Sequence, residues 1–141
     1  LGKERGTNGE ICIIKARKTD TKAPVYLALQ SIPLSSKPHP KGGYEPNIRM
    51  NVGIYWRVIE ENITLSELVN KDKWEKYQVF AGESSYSTMV MQQDHRIGFL
   101  YEKYDHVTNL GDMNDVYDIC YESLPISTIT NGEYEAAFLT E

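Results

Sequence analysis

The chain has 141 residues, of which 40% are hydrophobic and 25% charged, a composition typical of one globular domain with its own core. Its formal net charge is −5, and its Lys and Arg residues form no continuous stripe, which argues against nucleic acid and anionic membranes as partners. No apolar run approaches the roughly 18 residues that a transmembrane helix needs, so no membrane span is predicted.

The first part of the chain predicts three β-strands, because apolar and β-branched residues dominate residues 10–17, residues 25–32 and Ile48–Ile59. In the third of these runs, polar and apolar residues alternate with the period of a half-buried strand. Pro33 is expected to end the second strand. Residues 35–46 are predicted to form a loop, since they include three prolines, which lack a backbone donor.

The second part of the chain predicts more strands and two short helices. One helical turn is expected to begin at Thr64 or Ser66. A polar loop is expected at residues 103–115, and a last short helix at residues 125–130, stopped by Asn131-Gly132. The further predicted strands cover residues 74–80, 87–91, 97–102 and 116–124.

About seven short strands with almost no helix predict an all-β fold, which could be a sandwich, a barrel or the blades of a propeller. At roughly 40–50 residues per blade, this length gives about three blades. Known propellers close with about four to eight blades. The chain is therefore predicted to be either no propeller or an arc of one, with sheets that have open ends.

Cys12 and Cys120 are the only cysteines, and each lies in an apolar, strand-like run. Two buried free thiols are favoured over a disulfide. The histidines at positions 39, 95 and 106 are scattered and give no zinc-site spacing with these cysteines. The sequence therefore predicts no metal site.

Residues 81–102 contain the candidate site. They read as a loop of small residues, a strand, a polar turn and a second strand. If the two strands pair as a hairpin, Tyr86 near the start and Glu102 at the end lie at the same rim of one sheet. A hydroxyl and a carboxylate held together there can perform chemistry, but they can equally be two surface residues.

The sequence contains four ordered motifs: Gly-Thr-Asn-Gly-Glu at 6–10, Leu-Gln-Ser-Ile-Pro at 29–33, Asn-Ile-Arg-Met-Asn-Val at 47–52, and Ser-Tyr-Ser at 85–87 followed by Ile-Gly-Phe-Leu-Tyr-Glu at 97–102. In this order, they resemble the C-terminal third of the catalytic domain of bacterial-type sialidases (neuraminidases). The order and spacing agree from about residue 6 to residue 130. The family's Asp-box turn is absent in clean form, and Trp74 would be the remnant of its tryptophan.

The resemblance implies that residues 1–141 are the C-terminal part of a sialidase β-propeller, about two to three blades of it. The parent protein would be a retaining exo-α-sialidase, which hydrolyses terminal sialic acid from glycoconjugates. Tyr86 would be the nucleophile, because a neutral phenol avoids repulsion from the sugar carboxylate. Arg49 would be one of three arginines that bind this carboxylate in a planar fork. Glu102 would orient the first arginine of that triad.

The resemblance also implies what the chain lacks. The family's other two arginines, its acid/base aspartate and the glutamate that activates the tyrosine do not lie in these residues, so upstream blades or another chain would supply them. The isolated chain is therefore expected to be inactive. Because it begins at Leu1, it is expected to be a piece of a longer protein.

The resemblance also implies a partner and a location for the parent protein. A sialylated glycan would be the substrate, no cofactor would be needed, and the parent would be secreted, periplasmic or at the cell surface. Two alternatives stay open. One is a sialidase-like module that binds glycans or packs structurally without hydrolysis, and the other is an unrelated β-sandwich that matches the motifs by chance.

Overall fold

The computed structural model describes residues 9–104 and 117–137, which are mostly antiparallel β-structure. About 56% of these residues lie in strands and 9% in helices, so the all-β prediction is confirmed. The polar loop predicted at residues 103–115 lies mostly outside the described residues, because only Lys103 and Tyr104 are included, and both belong to a strand.

Each predicted strand is present, and the described residues contain one more. The extra strand, β8, has three residues, too few to show alternation in the sequence. The helices are α1 (Leu65–Leu68), a 3₁₀ turn (Lys71–Lys73) and α2 (Ile126–Ile129). The strands are β1 (Ile11–Lys18), β2 (Pro24–Lys37), β3 (Ile48–Ile59), β4 (Glu75–Gln78), β5 (Ser84–Met91), β6 (Ile97–Tyr104), β7 (Tyr117–Leu124) and β8 (Tyr134–Ala136).

The strands form two antiparallel sheets, one with the order β4-β3-β2-β1-β8 and one with the order β5-β6-β7. Within the described part of the chain, neither sheet closes on itself, and the strands curl into half of a barrel. The core lies between the sheets, because alternate side chains of both point inward. It contains Leu27 and Leu29 from β2, Val52 and Ile54 from β3, and Phe99 from β6, all fully buried.

Strand β2 is longer than predicted. The sequence predicts that it ends at Pro33, yet the ladder with β3 continues from Pro33–Val52 to Lys37–Ile48. The pairing of β1 with β2 stops at Gln30, so β2 has only β3 beside it in the ladder from there on. A proline is tolerated in such a position because no second neighbour requires its missing N–H. The predicted loop therefore begins at Pro38 rather than at Ser35.

Both short helices form where the sequence predicts them. Thr64 caps α1: its hydroxyl accepts a hydrogen bond from the Glu67 N–H, and the Glu67 carboxylate accepts from the Thr64 N–H. The hydrogen bond from the Thr64 hydroxyl lowers the pKa of the Glu67 carboxyl. At the end of α2, Asn131 and Gly132 adopt positive φ values, as expected for a helix stop.

The two cysteines are free and half-buried, which confirms thiols rather than a disulfide. Burial raises the pKa of the Cys12 thiol, and the nearby Glu10 charge raises it further, so this thiol is protonated at neutral pH. In the residues that the structure covers, no helix combines the length and hydropathy required to cross a bilayer.

Candidate functional site

The hairpin of β5 and β6 contains an irregularity at the predicted site. Ser84 pairs with Lys103 and Ser87 with Tyr101, so the register shifts between them. The two intervening residues of β5, Ser85 and Tyr86, thus oppose a single residue of β6. This two-against-one arrangement is a β-bulge, which bends a strand and redirects a side chain. Of the two, Ser85 is buried and Tyr86 is 45% exposed.

Glu102 is the residue of β6 that lies opposite this bulge. Its Oε2 accepts a hydrogen bond from the Tyr86 backbone N–H at 3.4 Å. Because a bulge disrupts the regular ladder, this side chain supplies an acceptor for an amide of the bulged strand. Tyr86 and Glu102 therefore lie at the same rim, as the predicted hairpin requires.

Arg49 reaches the same place from the other sheet. Its guanidinium carbon lies 5.0 Å from the centre of the Tyr86 ring, within the range of a cation–π contact. The three residues singled out from the sequence are thus brought together, although Arg49 is 37 positions before Tyr86 and belongs to β3. The contact fixes the phenol ring beside a permanent positive charge.

Asn51, which was not predicted from the sequence as a site residue, holds the backbone next to Arg49 in place. Asn51 has a φ of 61°, a left-handed conformation that Asn tolerates better than most residues. Its N–H donates to the Gly82 carbonyl at 2.7 Å, and its Oδ1 accepts from the Gly82 N–H at 2.9 Å. Its Nδ2 also donates to Ser35 Oγ at 2.8 Å. Asn51 therefore joins β3 to the segment just before β5.

Further hydrogen bonds and a β-bridge continue this junction between the sheets. Met50 and Glu83 form an isolated antiparallel bridge, and Ser84 Oγ accepts from the Val52 N–H at 3.0 Å. The Glu83 carbonyl accepts from the Tyr104 N–H at 2.9 Å. The strand that carries Arg49 is thus connected to the strands that carry Tyr86 and Glu102. An Asn inside a strand, where it is disfavoured, is the sequence signal that could have indicated this junction.

Two clefts meet at the Arg49–Tyr86 contact. Arg49 lines a cleft of about 350 Å³, together with basic and aromatic side chains. Tyr86 and Glu102 line a smaller one of about 180 Å³, whose other walls include Leu100 and Ile119. Since Arg49 and Tyr86 touch, the contact lies where the basic cleft borders the apolar one.

The tyrosine next to the site on β6 differs in its environment. Tyr101 is buried, and its hydroxyl donates to Glu122 at 3.0 Å. Burial raises the pKa of the Tyr101 phenol, and the hydrogen bond to Glu122 adds to the effect. Tyr101 is therefore held protonated as part of the core, whereas Tyr86 lies at the surface and is 45% exposed.

In residues 9–104 and 117–137, no group of three His, Cys, Asp or Glu side chains is placed to hold a metal ion. Comparisons with protein-family models, curated proteins and solved structures found no match. The interpretation of the site therefore depends on its geometry and on the motifs in the sequence.

Proposed function

We propose that this chain is the C-terminal part of a retaining exo-α-sialidase, which removes terminal sialic acid from glycoconjugates. The observation that carries the proposal is the contact of the Arg49 guanidinium with the ring of Tyr86, 5.0 Å from its centre. In sialic acid the carboxylate is attached to the anomeric carbon itself. The group that binds the carboxylate and the group that attacks the carbon must therefore be neighbours, and Arg49 and Tyr86 meet this requirement.

In the proposed reaction, Arg49 binds the sugar carboxylate through its planar fork. The phenol oxygen of Tyr86 forms a bond to the anomeric carbon while the glycosidic C–O bond breaks. The phenol proton passes to a base, and the departing oxygen takes a proton from an acid. Upstream parts of the protein would supply both groups. Water then cleaves the tyrosine–sugar bond, which restores the phenol and retains the configuration.

The fold is compatible with blades of a propeller. Strands β1 to β4 are neighbours in chain order within one sheet, and β5 to β7 are neighbours in the other. This up-and-down connection is the pattern within propeller blades. We propose that the two sheets correspond to about two to three blades, whose open edges the upstream blades would complete.

The experiment compares Tyr86→Phe and Arg49→Ala in the full-length protein. Tyr86→Phe should abolish turnover of a chromogenic sialoside but keep binding of a non-cleavable analogue, because the ring and its contact with Arg49 remain. Arg49→Ala should weaken binding itself by about 2–5 kcal/mol, since a bound carboxylate loses its partner.

Arg17→Ala is the matched control, because Arg17 pairs with Glu135 at the β1–β8 edge of the five-stranded sheet and should not affect binding. Near wild-type turnover by Tyr86→Phe would show that Tyr86 is not the nucleophile and that the proposal is wrong.

A sialidase-like module that binds glycans without hydrolysis is the second candidate. It is favoured by the basic, tyrosine-lined cleft beside Arg49, which could hold an acidic sugar without any reaction. The same pair of assays distinguishes the two, because a binding module would bind the analogue and release no chromogen even as the wild type.

A further inference from the structure

The cleft beside Arg49 has features that one sugar carboxylate does not explain. It measures about 350 Å³ and extends from Arg49 along the end of β2 and the loop that follows. Lys37, His39 and Lys41 line it there. A single terminal carboxylate would occupy Arg49 and leave this lysine-lined part of the cleft unused.

The charge of the cleft is opposite to that of the whole chain. Three basic side chains, Lys37, Lys41 and Arg49, line it, while Glu83 is the one carboxylate on its walls among the described residues. The Lys37 ammonium lies 3.9 Å from this carboxylate, at the limit of an ion pair, and the Lys37 side chain remains 47% exposed. In a protein with a net charge of −5, such a concentration of positive charge favours an anionic ligand.

The wall of the cleft also contains an aromatic pair. The rings of Tyr104 and Tyr117 have their centres 5.6 Å apart and are inclined by 60°. Tyrosine presents an apolar ring face and a polar hydroxyl, which suits a ligand with apolar C–H faces and polar edges, such as a sugar ring. Aromatic faces together with lysines thus indicate an acidic sugar rather than a small inorganic anion.

We propose that this cleft binds a second acidic sugar unit, adjacent to the unit whose carboxylate Arg49 holds. The preferred substrate is then an oligosaccharide with at least two anionic groups, the second being a carboxylate or a sulfate near Lys37 and Lys41. This inference depends on the proposed function for the placement of the first unit at Arg49.

The test measures dissociation constants of the full-length protein by titration calorimetry with three non-cleavable ligands. One ligand has a single sialic acid on a neutral sugar, one has two sialic acids, and one has a sialic acid followed by a sulfated sugar. The ligands with two charges should bind at least about fivefold more tightly, and the difference should shrink with added salt.

The double variant Lys37→Gln/Lys41→Gln should remove this preference while it leaves the affinity for the singly charged ligand within about twofold. The control is Lys15→Gln/Lys76→Gln, which removes the same charge from exposed lysines of β1 and β4 and should keep the preference. The better-bound ligand with two charges identifies the second group as a carboxylate or a sulfate.

Equal affinity of the wild type for ligands with one and two charges would overturn this inference and leave the sialidase proposal intact. Equal weakening of all three ligands by the lysine variant would overturn it as well, because the lysines would then act on the first unit. If no sialoside binds but inorganic sulfate does, the cleft is a simple anion site, and both proposals fail.

Discussion

Glu102 has a structural role that is independent of any reaction. Its carboxylate accepts the N–H of Tyr86 at the bulge, so it holds the backbone that presents the phenol. The sequence suggests proximity of the two residues through hairpin pairing, but it could not reveal that the link is a side chain bonded to a main-chain amide. Such a contact depends on the extra residue in β5, and a bulge has no clear signature in Ser-Ser-Tyr-Ser.

Glu102→Ala should lower the free energy of unfolding by about 1 kcal/mol, because the Tyr86 amide loses its acceptor. Glu102→Gln should cost less, since its side-chain oxygen can still accept the hydrogen bond. Urea denaturation of the two variants and the wild type measures both effects. Equal losses for Ala and Gln would show that the hydrogen bond does not support the bulge.

Glu135 links β8 to β1 and to the turn that follows β1 through two ion pairs. Its Oε1 lies 2.6 Å from Lys22 Nζ and 2.7 Å from Arg17 Nε. These hydrogen bonds, first that from Lys22 and then that from Arg17, lower the pKa of the Glu135 carboxyl in the folded protein. A lowered folded-state pKa means that the pairs stabilise the fold above the ordinary pKa of 4.5 and that this contribution disappears as the pH falls through the folded value.

Glu135→Gln should therefore be less stable than the wild type at pH 7 and approach it as the pH falls below the ordinary carboxyl pKa of 4.5 and through the lowered folded value. Thermal unfolding of both proteins at pH 7, 5 and 3 provides the comparison. A difference in melting temperature that stays constant over this range would contradict the expected titration.

At the scale of elements, most strands follow from alternation and β-branched content. The limits of β3 are those predicted, and the helical turn at Thr64 follows from its capping residues. The exceptions depend on neighbours in space. β2 continues past Pro33 because β1 has already ended, and β8 is stabilised by its pairing with β1 rather than by its own pattern. Neither the end of β1 beside β2 nor the pairing of β8 with β1 can be predicted from the local sequence.

The junction between β3 and the segment before β5 should depend strongly on Asn51. Asn51→Ala removes the side-chain hydrogen bonds to Gly82 and Ser35. It also leaves alanine, which tolerates a positive φ less well than asparagine does. A loss of about 2–3 kcal/mol in unfolding free energy is expected.

The matched control for this prediction is Asn62→Ala, at an exposed turn residue with a similar φ of 65°. It isolates the cost of the backbone conformation, which should be about 1 kcal/mol. Urea denaturation of both variants measures the difference, and similar losses would mean that the side-chain bonds of Asn51 contribute little.

At the scale of the whole molecule, both sheets expose apolar side chains on the face away from the core. Ile119 and Val90 are 71% and 63% exposed on the three-stranded sheet, and Ile13 is 63% exposed on the other. The sequence predicts open sheets, and the sheets that residues 9–104 and 117–137 form are open, although motifs alone could not indicate how far each sheet extends. Exposed apolar faces of this kind favour association.

The 141-residue chain alone should therefore self-associate at micromolar concentration. Ile119→Lys should shift the population toward monomers, because it places a charge within the apolar face. Sedimentation velocity of the wild type and of Ile119→Lys measures the self-association and its loss. Lys76→Glu on β4 is a control that changes surface charge elsewhere. A wild-type chain that sediments as a compact monomer would contradict this expectation.

The bulge at Ser85 has a further consequence for how the protein tolerates changes in length. Loss of one residue from a strand normally turns every following side chain to the opposite face. Here the extra residue lies between the pairs Ser84–Lys103 and Ser87–Tyr101, where two residues of β5 oppose only Glu102 of β6. Deletion of Ser85 would give a regular ladder without moving the rest of the hairpin. This is a place where natural variation in chain length could spare the fold and yet change the direction of Tyr86.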